Sequence, residues 1–441
     1  MSESVEHYAD YRHNVVCLMV DFIAFGIAMA FINVSTVLPS FVNQMTDSEI
    51  LVGLISTLMS GSWLLPQIIA ANYLAGKPRK KPYLLVPAVL GRQVWWILAV
   101  ILLLVGNREP ALVLVCFFVS LVVFMGSDGL AALAWFDILN KSIPPARRGR
   151  VIGTSQIISG ISGMGVGWLV GRILGATGPP FPHNYAFIFL LGGASLLASL
   201  AALVLIRERV LEPPPDSRMK ESFLHRLRDV LRNDRQFRLV TGVRLLFGLG
   251  GMIVPFYMIY GIDVLGLPSE TVGLATSMQV LGTILTGVVL GYVQERSGSR
   301  LVVLCSAALG LSAPLMALLA QCLFLHGAAL TLLPTIYISV FVIIGMVNSS
   351  IMLGFLNFVM ELAPPDENPT YVGLFNAFSG ILLLNPLVGG WLLEVASYTV
   401  LFTLATAGAG LGLVLAFRLR EPRQQRTAGP DVVLGLDTVE D

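Results

Sequence analysis

Twelve stretches of this chain are each long and apolar enough to cross the hydrocarbon core of a bilayer. They lie near 14–39, 50–75, 83–105, 110–140, 150–175, 185–206, 238–262, 270–293, 301–325, 329–361, 371–395 and 398–418. A helix rising about 1.5 Å per residue needs about 20 apolar residues for that crossing. Lipid offers no water to the backbone amides, so a chain with this pattern is confined to an all-α membrane bundle. Composition points the same way: 55% of the residues are hydrophobic and 12% charged, against about 25% charged in a soluble domain. The net charge of +1 and the lack of any basic stripe give no reason to expect a nucleic-acid partner. Many of the 43 glycines fall inside spans, where a missing side chain lets helix backbones approach closely. Cys17, Cys116, Cys305 and Cys322 lie in apolar segments at spacings that fit no metal site, and they read as small core residues. The opening MSESVEHYADYRHN lacks the apolar core of a cleavable signal peptide.

The basic residues test the span count. Of the 28, 24 fall at the N-terminus, in alternate loops, in the central segment and in the tail. Arg108 and Arg172 fall on the other side, and Arg92 and Arg244 fall inside spans. One miscounted helix would scramble this alternation. The asymmetry predicts a multi-pass protein of the cell (inner or plasma) membrane with both termini cytoplasmic.

The string SIPPARRGRVIGTSQIISG, residues 142–160, returns as LAPPDENPTYVGLFNAFSG, residues 362–380. Pro-Pro, Gly and Ser-Gly recur at an offset of 220 residues, and the same offset sets Asp128 opposite Asn348 and Asp137 opposite Asn357. Six spans occupy about that length of chain, so a duplicated six-helix unit is the simplest account. The predicted division is 1–206 for the first half, 207–237 for a linker, 238–420 for the second half and 421–441 for a disordered tail. Within the linker, Phe223, Leu227, Val230 and Leu231 recur at helical spacing among arginines, which reads as an amphipathic helix on the inner leaflet.

With twelve spans, an internal repeat and the basic turn GKPRKKPYLL after the second span, the chain resembles the major facilitator superfamily over almost its whole length. The turn keeps Gly76, Lys77 and Arg79 of the family's best-known motif but lacks the acidic residue expected before them, and PPARRGR resembles the basic turn after the fourth span. The resemblance implies two pseudo-symmetric six-helix halves and a secondary transporter working by alternating access. It also makes Gly76, Lys77, Arg79, Asp137, Arg148 and Arg150 candidates for a cytoplasmic latch, with the arginines pairing with Asp137. The second copy of the string lacks those charges, either because Arg296 and Arg300 already anchor that half or through drift in a solvated loop.

An ionisable group inside a span costs about 2.5–3.5 kcal/mol and marks a site by default. Asp21, Arg92 and Asp128 lie nine, eleven and thirteen residues from Arg12, Lys81 and Lys141, about 14, 16 and 20 Å deep. An arginine between two aspartates would neutralise one and leave the other dependent on a proton or cation. The alternative is an ion pair that only fixes helix packing. Arg244 in the seventh span would meet an anionic group or snorkel to the surface. Asn33, Gln67, Gln279, Asn348 and Asn376 are candidates for contact with substrate, or for hydrogen bonds between helices. The fifth span, SGISGMGVGWLVG, resembles the glycine-rich fifth span of antiporters in the superfamily, without its proline, and so favours export.

The reading is therefore a monomeric carrier, surrounded by lipid, that moves a small amphiphilic or apolar solute, with efflux as the direction and protons as the coupling ion, a facilitator or a sodium-coupled carrier being the alternatives for coupling. A lipid or lysolipid flippase on the same fold, and a membrane sensor that does not transport, are the alternatives. No G-x-x-x-x-G-K-[ST] loop occurs, and no span holds a histidine–carboxylate or Ser/His pair, so neither an enzyme nor a cofactor or metal is expected.

Overall fold

The computed structural model describes residues 10–106, 108–210, 229–326, 333–364 and 367–423, and every regular element among them is helical. Twelve helices have the length and composition of membrane spans: α1 (Tyr11–Phe31), α2 (Glu49–Ala71), α3 (Lys81–Val105), α4 (Pro110–Ser142), α5 (Pro145–Leu174), α6 (His183–Leu205), α7 (Arg235–Val264), α8 (Thr271–Ser297), α9 (Ser299–Leu325), α10 (Leu333–Leu362), α11 (Thr370–Val395) and α12 (Tyr398–Ala416). Large apolar side chains such as Leu65, Ile69, Trp168 and Val288 stay exposed along them, as a surface solvated by lipid requires.

The first span is shorter than its apolar run predicts. Helix α1 stops at Phe31, and a separate short helix occupies Val37–Asn43. Asn33 causes the break: its Oδ1 accepts from the backbone N–H of Ser35 at 2.8 Å, a local bond that competes with the helix. Linker residues 211–228 and tail residues 424–441 lie outside the described residues. The described end of the linker, 229–233, is helical, with Val230 and Leu231 packed into an apolar core.

Two compact units emerge: 1–217 with 255–280, and 218–254 with 281–441. In the first unit α1 packs on α5 and α6, α3 on α4 and α6, and α2 on α4. In the second, α7 packs on α11 and α12, and α9 on α10 and α12. Four of these pairings are the same pairing moved on by six helices. The units differ in regularity. Helix α7 is interrupted by a 3₁₀ turn at Leu249–Met252 and a π turn at Tyr260–Val264. Helix α10 carries a π turn at Met352–Leu356, and α11 a 3₁₀ stretch at Gly380–Leu384. Glycines 250, 251 and 380 and prolines 255 and 386 supply the two 3₁₀ breaks, because proline removes a donor and clashes one turn back.

A carboxylate caps the third helix of each repeat. Glu208 accepts from the backbone N–H groups of Lys80 at 2.6 Å and Lys81 at 2.9 Å, at the start of α3. Lys81 Nζ returns the contact, donating to the carbonyls of Val204 and Ile206 at 2.8 and 2.7 Å. Glu421 accepts from the N–H of Arg300 at 3.0 Å, at the start of α9. Gly298, with φ +84°, leads into that turn, and a Cβ there would strike the Glu421 carboxylate. A helix start presents unpaired N–H groups and the positive end of its dipole, so an anion belongs there.

In the first unit, the segment 255–280 is held by close backbone approach. A Cβ on Gly167 of α5 would lie 2.6 Å from the carbonyl oxygen of Gly273, and one on Gly273 would lie 2.6 Å from Gly171 Cα. Ser277 Oγ donates to Met164 O at 2.9 Å, the hydroxyls of Thr36 and Thr276 meet at 2.6 Å, and Asn43 Nδ2 donates to Asp263 Oδ2 at 3.0 Å.

Glu208→Ala is expected to remove about 2 kcal/mol, the worth of hydrogen bonds to a charged group that is buried, and to lower the melting temperature in detergent by several degrees. An unchanged melting temperature would show that water caps α3 equally well. Gly273→Val is expected to overpack the α5 crossing at a cost of about 1–3 kcal/mol. A disulfide engineered at Thr36→Cys and Thr276→Cys, with the native cysteines replaced, should then close about tenfold more slowly than in the glycine parent.

Candidate functional site

Three helix approaches assemble a charged cluster in the first unit. A Cβ on Gly91 of α3 would lie 2.7 Å from Ser127 Cβ of α4, and one on Gly129 of α4 would strike the Trp63 backbone of α2. Helices α2, α3 and α4 are therefore close enough for short polar contacts, and α1 and α6 complete the surround.

Asp21 of α1 lies at the centre and is 4% exposed. Its Oδ1 receives Arg92 Nη2 of α3 at 3.3 Å and the Ser199 hydroxyl of α6. Its Oδ2 receives the Trp135 indole N–H of α4 at 2.8 Å. A buried carboxylate with a counter-charge and three donors is fully compensated. Arg92 is also buried, and its Nη1 has no hydrogen-bond partner. The guanidinium carbon stands 5.9 Å from the Phe25 ring centre.

Asp128 lies two turns before Trp135 on α4, and its environment differs. It is partly exposed, and its Oδ2 accepts one hydrogen bond, from the Trp63 indole at 3.0 Å. No cation among the described residues forms an ion pair with it. The three charges expected at one level thus divide: Arg92 pairs with Asp21, and Asp128 is left with a neutral donor.

Arg244 of α7 belongs to the second unit. Its guanidinium carbon lies 5.8 Å from the ring centres of both Phe247 and Phe355, and no carboxylate among the described residues is paired with it. The uncharged candidates separate into two groups. Asn33 and Gln279 converge on Ser35, the first through its backbone turn and the second by donating to Ser35 Oγ at 3.3 Å. Gln67 donates to Trp63 O of its own helix at 3.1 Å. Both arrangements are internal to the fold. Asn348 and Asn376, by contrast, are exposed along α10 and α11.

The latch residues do not pair as expected. Asp137 pairs with Lys141 at 2.6 Å, one turn along α4. Arg148 instead donates to the carbonyls of Asn140 at 2.7 Å and Ile143 at 2.8 Å, closing the carbonyl end of α4 as cations do. Lysine wins because it shares the helix face with Asp137, whereas Arg148 starts the next helix beside unsatisfied carbonyls. Gly76, Arg79 and Arg150 are exposed, and Lys77 lies 4.6 Å over the Tyr73 ring. Lys80 is the buried cation here, its ammonium bound to Leu74 O. Burial pushes its pKa down from the ordinary value, against the raising pull of Asp137 and Glu208. The acidic residue missing from the motif is supplied by Glu208, buried beside Lys80, Lys81 and Lys141. Sequence reading missed it, although the pair Arg207-Glu208 after α6 recurs as Arg420-Glu421 after α12. It also missed Trp63 and Ser199 as partners of the two aspartates.

The cluster thus holds one carboxylate paired with a guanidinium and a second one that accepts a single hydrogen bond from a neutral donor. Comparison with known proteins agrees with a carrier scaffold. A D-xylose–proton symporter matches with a TM-score of 0.66 at 14% identity, covering 94% of this chain and 99% of that one. A peptide transporter of the POT family matches with 0.68 at 11% identity, covering 92% and 96%. The nucleoside transporter NupG matches with 0.62 at 14% identity, covering 93% and 98%. At such identities the likeness is one of fold, and the three proteins are named for three different solutes. No curated protein sequence matches the chain. The model of the Major Facilitator Superfamily matches residues 20–384 and 262–434. Twelve membrane helices, a recurring packing order and this match together establish that the chain belongs to the Major Facilitator Superfamily.

Proposed function

We propose that this protein is a proton-coupled secondary transporter of a small amphiphilic solute, and that Asp128 is the carboxylate that takes up and releases the proton. The observation that carries the reading is the unequal treatment of two aspartates in one cluster. Asp21 is buried, paired and fully hydrogen-bonded, so protonating it would break a complete set of contacts. Asp128 is partly exposed, with one neutral donor, so adding a proton breaks little and removes an uncompensated charge from a span. Asp21 and Arg92 then serve as positioning residues that hold α1, α3, α4 and α6 in register.

Alternating access is the mechanism expected of the fold. The segment 255–280 is its movable contact in this reading. It is held to α5 and to Thr36 by glycine contacts and neutral hydrogen bonds, which part without stranding a charge. The glycine run of α5 favours export, with both termini in the cytoplasm. The scarcity of exposed polar groups in the spans favours an amphiphilic or apolar solute over a sugar.

The test is reconstitution. Solutes that stabilise the purified chain in a thermal-shift panel are loaded into proteoliposomes, and their accumulation is followed with and without a pH gradient. Asp128→Asn is expected to abolish accumulation driven by the gradient while leaving solute exchange at zero gradient near the parent rate. Accumulation unchanged in Asp128→Asn rejects the assignment. Asp21→Ala is expected to behave differently. It leaves Arg92 buried without its counter-charge, at about 3–5 kcal/mol, and lowers the melting temperature. The double variant Asp21→Asn with Arg92→Gln should recover much of that loss. If the single and double variants are equally stable, Asp21 does more than hold Arg92.

A further inference from the structure

We infer that Arg244 is an anion-binding residue, and that the ligand this protein takes up is an organic monoanion whose carboxylate docks on that guanidinium. The inference rests on the transporter reading and adds the chemical class of the solute.

A guanidinium inside a membrane span needs a counter-charge or an exit to water. Arg92 shows how this chain meets the requirement, by pairing with Asp21. Arg244 has no such counter-charge among the described residues. It stands nine residues past Arg235, where α7 begins, about 14 Å along the helix. Its guanidinium is held between Phe247 of its own helix and a second ring. The second ring, Phe355, comes from α10. Two aromatic rings at 5.8 Å attract the cation, but they carry no charge to neutralise it. No hydrogen bond or ion pair of Arg244 exists among the described residues, and the residue is partly exposed. The rings accept none of its N–H hydrogen bonds, and a guanidinium fork matches a carboxylate bidentately.

The repeat sharpens the point. The offset of 220 sets Asp21 opposite Thr241, Asp128 opposite Asn348 and Trp135 opposite Phe355. Both carboxylates of the first unit therefore have neutral counterparts in the second. Arg244 itself stands opposite Ala24. At these positions the second copy has neutral residues where the first has acids, and a cation where the first has Ala24, so a negative partner from outside the chain fits the site. Other charged groups on α7 to α12 of that unit lie at helix ends, as Arg300, Glu361 and Glu394 do. A single internal cation fits a monoanion, because a phosphate dianion would keep an unpaired charge.

The test uses the full chain in lipid nanodiscs with benzoate, 1-naphthoate and octanoate, each beside its neutral amide. Calorimetric binding should find at least one carboxylate held about tenfold or more tightly than its amide. Arg244→Gln should erase that preference, and Arg244→Lys should keep part of it because the charge remains. Independently of any variant, phenylglyoxal should label Arg244 in the free protein, the bound carboxylate should protect it, and buried Arg92 should stay unlabelled. The inference is overturned if no carboxylate is preferred over its amide, if the preference survives in Arg244→Gln, or if Arg244 resists the reagent. Carboxylate binding that depends on Arg244 without any flux would remove the transporter reading and keep the anion site. Gradient-driven flux of neutral solutes without such binding would do the reverse.

Discussion

A bilayer core offers a protein no hydrogen bonds, and the whole arrangement follows from where this chain finds substitutes for water. Backbone groups find them within helices, which is why every regular element among the described residues is helical. Charged side chains find them in one another or at helix ends. Asp21 gathers a guanidinium, an indole and a hydroxyl from three other helices. That single carboxylate therefore ties together α1, α3, α4 and α6, and the energetic cost of leaving any of those partners bare fixes their rotation about their own axes. Glu208 and Glu421 do the equivalent work outside the spans, where backbone N–H groups at the starts of α3 and α9 would otherwise face unsatisfied ends.

The two units share a packing order but not a chemistry. In the first, α1 and α3 to α6 run unbroken, and their polar interior is charged. In the second, α7, α10 and α11 are interrupted near their middles, and the corresponding interior has lost its acids. A broken helix exposes backbone groups that an unbroken one keeps to itself. The first unit thus carries a buried ion pair within its spans, and the second an arginine flanked by two aromatic rings.

The sequence made the spans legible because length and hydropathy are sufficient to define a membrane helix. It did not make the end of α1 legible, because hydropathy cannot register the competition between Asn33 and the helix for the Ser35 amide. Depth counting brought Asp21, Arg92 and Asp128 to one level, and the Asp21–Arg92 pair follows from it. Which aspartate Arg92 would choose depends on Gly91 and Gly129, whose missing side chains set the distances between helices. Trp63 and Trp135 were unreadable as partners because a tryptophan in a span serves packing as readily as it donates. Charge sign alone sends Arg148 to Asp137, but the carbonyls at the end of α4 also attract a cation and bind it instead.

The contacts that hold 255–280 to the first unit are of a particular kind. They are hydroxyl with hydroxyl, hydroxyl with carbonyl, amide with carboxylate, and backbone against glycine. No ion pair among the described residues joins this segment to the rest of its unit. Neutral hydrogen bonds contribute about 0.5–1.5 kcal/mol each on balance, so a handful of them is worth a few kcal/mol, the gap at which a minor conformation remains populated. Helix α8 makes the same point geometrically, since 271–280 belongs to one unit and 281–297 to the other. Charged contacts hold each unit internally, at Asp21 and at the Glu361–Arg423 pair, and the weaker ones hold 255–280, the movable contact of the proposed mechanism. A carrier that has to change conformation on every cycle gains from this division, because the energy that keeps each bundle intact is separate from the energy that has to be overcome to move.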